Sequence, residues 1–189
     1  MGSSDEALYE SFLTRNDNEA IRILFDKYRE PLTYFLNGIV HNMDDAEEIM
    51  MDCFAIVIAA TSRFSAKRGS SLKTWLYAIA AKRARMFLRK NHMTAGFEDS
   101  DHMASGDAAL PESGLLQEEK NIELYRAMNA LSSDQRTVLY LKFFEDMKPE
   151  EISKVLKKNI RQVYSLTDKG KERLRELLTD TEGGAPWNM

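Results

Sequence analysis

"KPEEISKVLKKNIRQVYSLTDKGKERLRELL", residues 148–178, carries the pattern that decides the fold of the second half of the chain. Proline cannot donate a helical hydrogen bond but suits a first helical position, so Pro149 predicts a helix start. Ile152, Val155 and Leu156 then fall on one side of a short helix. Lys157 and Lys158 stand at a tight turn, and Asn159 with Gln162 supplies the cap and third residue of a second, longer helix. Val163, Leu166 and Leu174 are expected to face the core, leaving Arg161, Gln162, Tyr164, Ser165 and Lys169 outward near the helix start. A short helix, a turn and a longer helix beginning with basic and amide side chains make a helix-turn-helix. In that motif the second helix enters the major groove, where Arg and Gln suit guanine and adenine edges. An αα-hairpin with surface charges fits the same segment.

Upstream, helical spacing begins near Lys120, with Ile122, Leu124, Tyr125 and Met128 in one stripe. "SSDQ" from Ser132 has the form of a capping box, with Gln135 reaching back, and Val138, Leu139, Leu141 and Phe143 follow. Residues 119–178 therefore read as one small helical domain, and 179–189 as a disordered tail. Between Asn91 and Glu119 the chain has seven Asp/Glu and no Lys or Arg, with Gly and Ser frequent. Residues 92–118 read as a flexible acidic linker between two domains.

The first 91 residues also carry helical spacing: Ile21, Leu24, Phe25 and Tyr28, then Leu32, Phe35, Leu36 and Ile39. Asn16 or Asp17 is expected to cap that run, and Pro31 to interrupt it or start the next helix. A further helix is expected from Asp44 or Asp45 to about Thr61, burying Ile49, Met50, Cys53, Phe54, Val57 and Ile58. The class is all-α: two small helical domains and a linker.

Charge is distributed in blocks. The chain of 189 residues has 26 Lys/Arg and 30 Asp/Glu, a net charge of −4, yet no acid occurs between Asp52 and Glu98. Nine Lys/Arg fall between Arg63 and Lys90. In "TWLYAIAAKRARMFLRK", residues 74–90, Lys82, Arg85 and Arg89 share a helical face with Arg83 and Lys90 beside it. Trp75, Ile79 and Met86, flanked by Leu76 and Ala80, are expected to form the opposite, buried stripe. A cationic face without acids suits a phosphate backbone. Phe64 lies among Arg63, Lys67, Arg68 and Lys73, and aromatics between cations suit single-stranded bases. A solvated basic face with Phe64 in the core is the simpler reading. Just before this block, "DDAEEIMMD" presents Asp45, Glu48 and Asp52 outward, as a plain exposed face or as a dock for a basic partner. Charge complementarity also leads us to expect the linker to cover the basic face transiently in the free protein.

His41, His92 and His102 are scattered, and the single Cys53 fits a core thiol in a reducing cytoplasm. No metal, cofactor or catalytic constellation is expected, and so no enzyme. No charged-then-apolar leader opens the sequence. No apolar run approaches the roughly 20 residues of a membrane helix, so membrane insertion is not expected either.

Four segments, "LFDKYREPLTYFL", "DDAEEIMMDCF", "RFSAKRGSSLKTWLYAIAAKRA" and "ALSSDQRTVLYLKFFEDMKPEEISKVL", resemble in order the motifs of bacterial extracytoplasmic-function sigma factors. The resemblance runs from about Asp17 to Leu178. It implies that Asp45, Glu47, Glu48 and Asp52 dock on the clamp helices of the RNA polymerase largest subunit. It implies promoter melting and minus-ten contact, double- and single-stranded, by Arg63, Phe64, Lys67, Arg68, Lys73, Lys82, Arg83, Arg85 and Arg89. The helix-turn-helix residues Arg161, Gln162, Tyr164, Ser165 and Lys169 would read the minus-thirty-five element, with the preceding helices at the polymerase flap. An anti-sigma factor is the implied inhibitor. Departures from the pattern begin with Lys157 at a turn often made by glycine, so the turn need not require a left-handed glycine. Tyr164 and Leu166 replace common basic residues, Asp168 adds a negative charge, and Gly170 lies inside the helix. The competing class is a polymerase-independent helix-turn-helix regulator with a dimerising or sensing first domain.

Overall fold

The computed structural model describes residues 4–59, 64, 69–94 and 123–181, and every regular element among them is a helix. They divide into two compact units, with α1–α4 in the first and α5, α6, α8 and most of α7 in the second. The first three residues of the expected linker, 92–94, continue α4; the rest of it with its covering role, and the tail beyond Thr181, lie outside the described residues.

The first unit contains α1 (Asp5–Arg15), α2 (Asn18–Val40), α3 (Met43–Ile58) and α4 (Leu72–Thr94). Each start is set by a short polar side chain that accepts an otherwise orphaned amide. Ser4 accepts from Ala7, Asp17 from Glu19 and Ala20, Asn42 from Asp45, and Ser71 from Thr74. Asn16 instead closes α1 in the left-handed conformation, φ 55°. A hydroxyl bond from Ser11 and the Ala20 amide hold the Asp17 carboxyl below its ordinary pKa.

Helix α2 runs unbroken through Pro31, contrary to expectation. The ring forfeits one ladder bond and crowds the turn behind it, at about 3 kcal/mol. The burial of Leu24, Tyr28, Leu32, Phe35 and Leu36 along one continuous face outweighs that cost. Phe25 meets Phe54 edge-on at 4.9 Å, and Phe35 meets Tyr77 at 5.0 Å, joining α2 to α3 and to α4.

Helix α4 packs differently from the expected pattern. Its buried apolar residues are Leu72, Leu76, Tyr77, Ala80, Ala81 and Ala84, while Met86 is 40% exposed. At 100° per residue, positions 75, 79, 82, 86 and 89 form one stripe, so Trp75 and Met86 share the face of Lys82 and Arg89. Weighting by side-chain size misplaced the face, because alanines line the contact. Ile58, expected inside, is 51% exposed at the last turn of α3.

The second unit contains α5 (described over 123–129), α6 (Ser133–Phe143), α7 (Pro149–Leu156) and α8 (Ile160–Thr181). Ser132 and Gln135 make the reciprocal capping box. Ala127, Met128, Leu131, Leu139, Leu174 and Leu178 form a core cluster. Phe143 is half exposed, with Lys142 and Lys171 over its ring. Arg136 is buried, and its guanidinium donates to the carbonyls of Met128 (2.8 Å), Asn129 (2.7 Å) and Leu131 (3.0 Å). Burial pushes its pKa down, while the carbonyl ends of α5 favour the cation.

The turn between α7 and α8 is left-handed at Lys157 (φ 54°, ψ 39°), a conformation reached here without glycine. Ser153 closes it. Its carbonyl accepts the amides of Lys157 and Lys158, and its hydroxyl donates to the Lys158 carbonyl at 2.6 Å. At Gly170 a Cβ would stand 3.1 Å from Leu139 Cδ1, so this glycine permits the close crossing of α6 and α8.

Lys157→Gly is expected to raise stability by about 0.5–1 kcal/mol in denaturant titration, since a left-handed lysine is strained where glycine is not. Gly170→Leu is expected to lower it by about 2 kcal/mol, through overpacking against Leu139.

Candidate nucleic-acid interface

Lys82, Arg85 and Arg89 project from the exposed side of α4, a helix with no carboxylate in its sequence. Lys90 is exposed beside them, while Arg83 is turned toward α3. Its guanidinium lies 2.8 Å from the Asp52 carboxylate, and its Nε is buried without a hydrogen-bond partner. Two residues the sequence placed in separate sites, Asp52 and Arg83, are therefore partners. Such a part-exposed pair contributes about 0.2–1 kcal/mol.

Beneath this pair Cys53 is fully buried. Desolvation pushes its thiol up to about 12, against the pull of the Arg83 charge. At that value it holds on the order of a thousandfold less thiolate at neutral pH than a free cysteine. The native protein is expected to resist a disulfide-type thiol reagent at pH 8 and to react at once in denaturant, as read by absorbance of the released thiol.

Ahead of the cationic face lies an aromatic group. Phe64 is half-buried, 5.8 Å from the Trp75 ring and 6.4 Å, edge-on, from Tyr9. It belongs partly to the core and partly to the surface, between the two readings of the sequence. Lys73 is half-buried in the first turn of α4, whereas Arg63, Lys67 and Arg68 lie outside the described residues.

On α3, Glu47, Glu48 and Asp52 are exposed and Asp45 is half-buried. Sequence reasoning missed that Met51 (54%) and Ile58 (51%) are exposed with them. The signal was present in the spacing: seven residues separate the two, so they recur on one side of the helix.

In the second unit Arg161, Gln162, Tyr164, Ser165 and Lys169 are all exposed on the first turns of α8. Gln162 is also structural. Its amide oxygen accepts from the Asn159 amide at 2.9 Å, and its own amide donates to Asn159 Oδ1 at 2.9 Å. A base contact would use its NH₂ group or release the cap. Lys158 pairs with Asp134 at 2.7 Å beside an open cleft that Arg161 and Ser165 also line.

Residues 24–93 match Sigma-70 region 2, and residues 121–174 match Sigma-70, region 4. The chain belongs to the sigma-70 family, as an extracytoplasmic-function factor. It is a promoter-recognising initiation factor of RNA polymerase. Among its relatives, RNA polymerase sigma-H factor of Pseudomonas aeruginosa is 29% identical, over 92% of this chain and 93% of its own. ECF RNA polymerase sigma factor SigX of Bacillus subtilis is 27% identical, over 87% and 90%. In fold, this sigma factor is similar to RpoE of Bartonella quintana, solved with the anti-sigma factor NepR. The TM-score is 0.64 at 23% identity, covering 85% of this chain and 98% of that one.

Proposed function

We propose that this sigma factor docks on core RNA polymerase through α3, grips the minus-ten element through α4, and reads the minus-thirty-five element through α8. The observation that carries this division is the exposed cationic face of Lys82, Arg85 and Arg89, continued toward its N-terminal end by Trp75 and the half-buried Phe64. Cations along the backbone with a ring for an unstacked base are what single-strand capture needs. Glu47, Glu48 and Asp52, with Met51 and Ile58, give α3 a mixed acidic and apolar face suited to the polymerase clamp helices. Arg63, Lys67, Arg68 and Lys73 add charge around Phe64, and Arg83 joins them when its pair with Asp52 opens. Arg161, Gln162, Tyr164, Ser165 and Lys169 face the major groove, with the polymerase flap against the helices before them.

Opening the promoter by capture makes and breaks no covalent bond, so the role is non-enzymatic. The setting is the bacterial cytoplasm, and no described helix is long and apolar enough to cross a membrane. An anti-sigma factor is the proposed inhibitor, supported by the RpoE–NepR complex.

Replacing Lys82, Arg85 and Arg89 together by Ala tests the assignment. Holoenzyme affinity for promoter DNA is expected to fall, and the slope of log affinity against log salt to flatten by about 3, near 0.9 per lost phosphate contact. Core polymerase binding, followed by fluorescence anisotropy, stays unchanged. Unaltered promoter opening in the triple variant would sink the assignment, and tight operator binding by a dimer without polymerase would favour a plain regulator.

A further inference from the structure

Helix α1 lies outside the segment that matches Sigma-70 region 2, yet one of its faces packs on α2, on the start of α4 and on Phe64. Asp5, Glu6, Tyr9 and Phe12 recur at helical spacing on that face. The Asp5 carboxylate accepts from the Tyr28 hydroxyl and from Lys27 Nζ at 2.7 Å, fixing the start of α1 on α2. Glu6 Oε1 accepts the Leu72 amide at 2.9 Å. That amide is the first of α4, one of the four a helix leaves unpaired, and a carboxylate there also suits the positive helix end. Tyr9 is 1% exposed and lies against both Phe64 and Trp75, with ring centroids at 6.4 and 5.7 Å. Phe12 backs Tyr9 at 6.4 Å.

The geometry points to α1 as a positioning element for strand capture, with Tyr9 setting the place of Phe64 and Glu6 fixing the first turn of α4. The cationic stripe starts from that turn. Trp75 is seven residues before Lys82 and fourteen before Arg89 on the same helix, so a shift of α4 against α1 moves Trp75 and the cations together relative to Phe64 and Tyr9. Capture needs both at once, because a base enters the rings only while its flanking phosphates sit on the charges. A helix that merely added stability to the unit would not act on opening in particular. This inference rests on the assignment of Phe64 to the minus-ten strand.

The experiment uses the full chain with core polymerase. It compares Tyr9→Ala, Tyr9→Phe, Glu6→Ala, Glu6→Gln and Phe64→Ala. Three readouts separate the steps: core binding, affinity for duplex promoter in the closed complex, and opening, followed by 2-aminopurine fluorescence at the minus-ten element. Tyr9→Ala is expected to slow opening about tenfold, within the range that one base–aromatic stack supplies. Core binding and closed-complex affinity stay the same. Tyr9→Phe and Glu6→Gln, which keep the ring and the acceptor oxygen, restore normal opening. Combining Tyr9→Ala with Phe64→Ala gives little further loss, since both act through one ring. If Phe64→Ala slows opening and Tyr9→Ala and Glu6→Ala do not, the positioning role is wrong while the Phe64 assignment stands. If Phe64→Ala opens normally, the assignment itself fails. Should Tyr9→Ala not fold, Glu6→Ala decides: slowed opening supports the role, and a uniform loss across all three readouts overturns it.

Discussion

The closeness of α4 to its neighbours in the first unit governs what that unit can do. Ala80, Ala81 and Ala84 are fully buried, so the helix meets its neighbours across methyl groups beside the larger Leu72, Leu76 and Tyr77. Small residues at a helix contact bring the backbones together, and the buried arc of α4 takes up about half of the circumference. The remaining arc is then left for charge, and it is used for Lys82, Arg85 and Arg89. A leucine-lined contact would have spread the apolar arc and held the cations further from the core that orients them. Repulsion among the cations opposes folding, and the packed alanine face with Leu76 and Tyr77 supplies the compensating burial.

The pair Arg83–Asp52 sits where two functions adjoin. One partner comes from the helix assigned to polymerase and the other from the helix assigned to DNA. The pair is weak enough, at about 0.2–1 kcal/mol, for either partner to be recruited by a stronger site. The buried Nε of Arg83 has no hydrogen-bond partner, which weakens it further. On the proposed assignment, the clamp and promoter surfaces share a boundary at this pair. Cys53 beneath it takes no part in bonding, and its burial keeps the thiol neutral.

What the sequence made legible was local. The caps at Asp17, Ser132–Gln135 and Asn159–Gln162 depend on residues two or three apart, and each forms as its pattern predicts. The helix-turn-helix is of the same kind, a proline start, a turn and a cap within one stretch. What required the fold were features set by distant neighbours. Pro31 stays inside α2 because the helix face on either side of it is buried. Lys157 adopts a left-handed turn because Ser153 closes it from both sides. Arg136 is buried because three carbonyls at the end of α5 converge on it, and nothing in the neighbouring sequence announces them. The face of α4 was misjudged because large apolar residues were assumed to mark the core. The role of Gln162 is a further case: its spacing from Asn159 fits a cap as well as a base contact, and the structure fills the first role.

The energetics of opening a promoter limit what such a unit does alone. Each base-pair step stacks with about 1.4 kcal/mol, so melting roughly ten steps costs about 14 kcal/mol. One aromatic stack returns about 1–3 kcal/mol per base. On the proposed assignment, Phe64 and the rings behind it hold one or two flipped bases and no more. Capture at this site therefore acts as nucleation: it makes the first unpaired state long-lived, and the remaining strand separation must draw on contacts elsewhere in the holoenzyme. That division explains why placement matters more than strength here. A second ring added to the cluster would gain little, whereas a ring set out of line with the phosphates that Lys82, Arg85 and Arg89 are proposed to hold would lose the nucleus altogether.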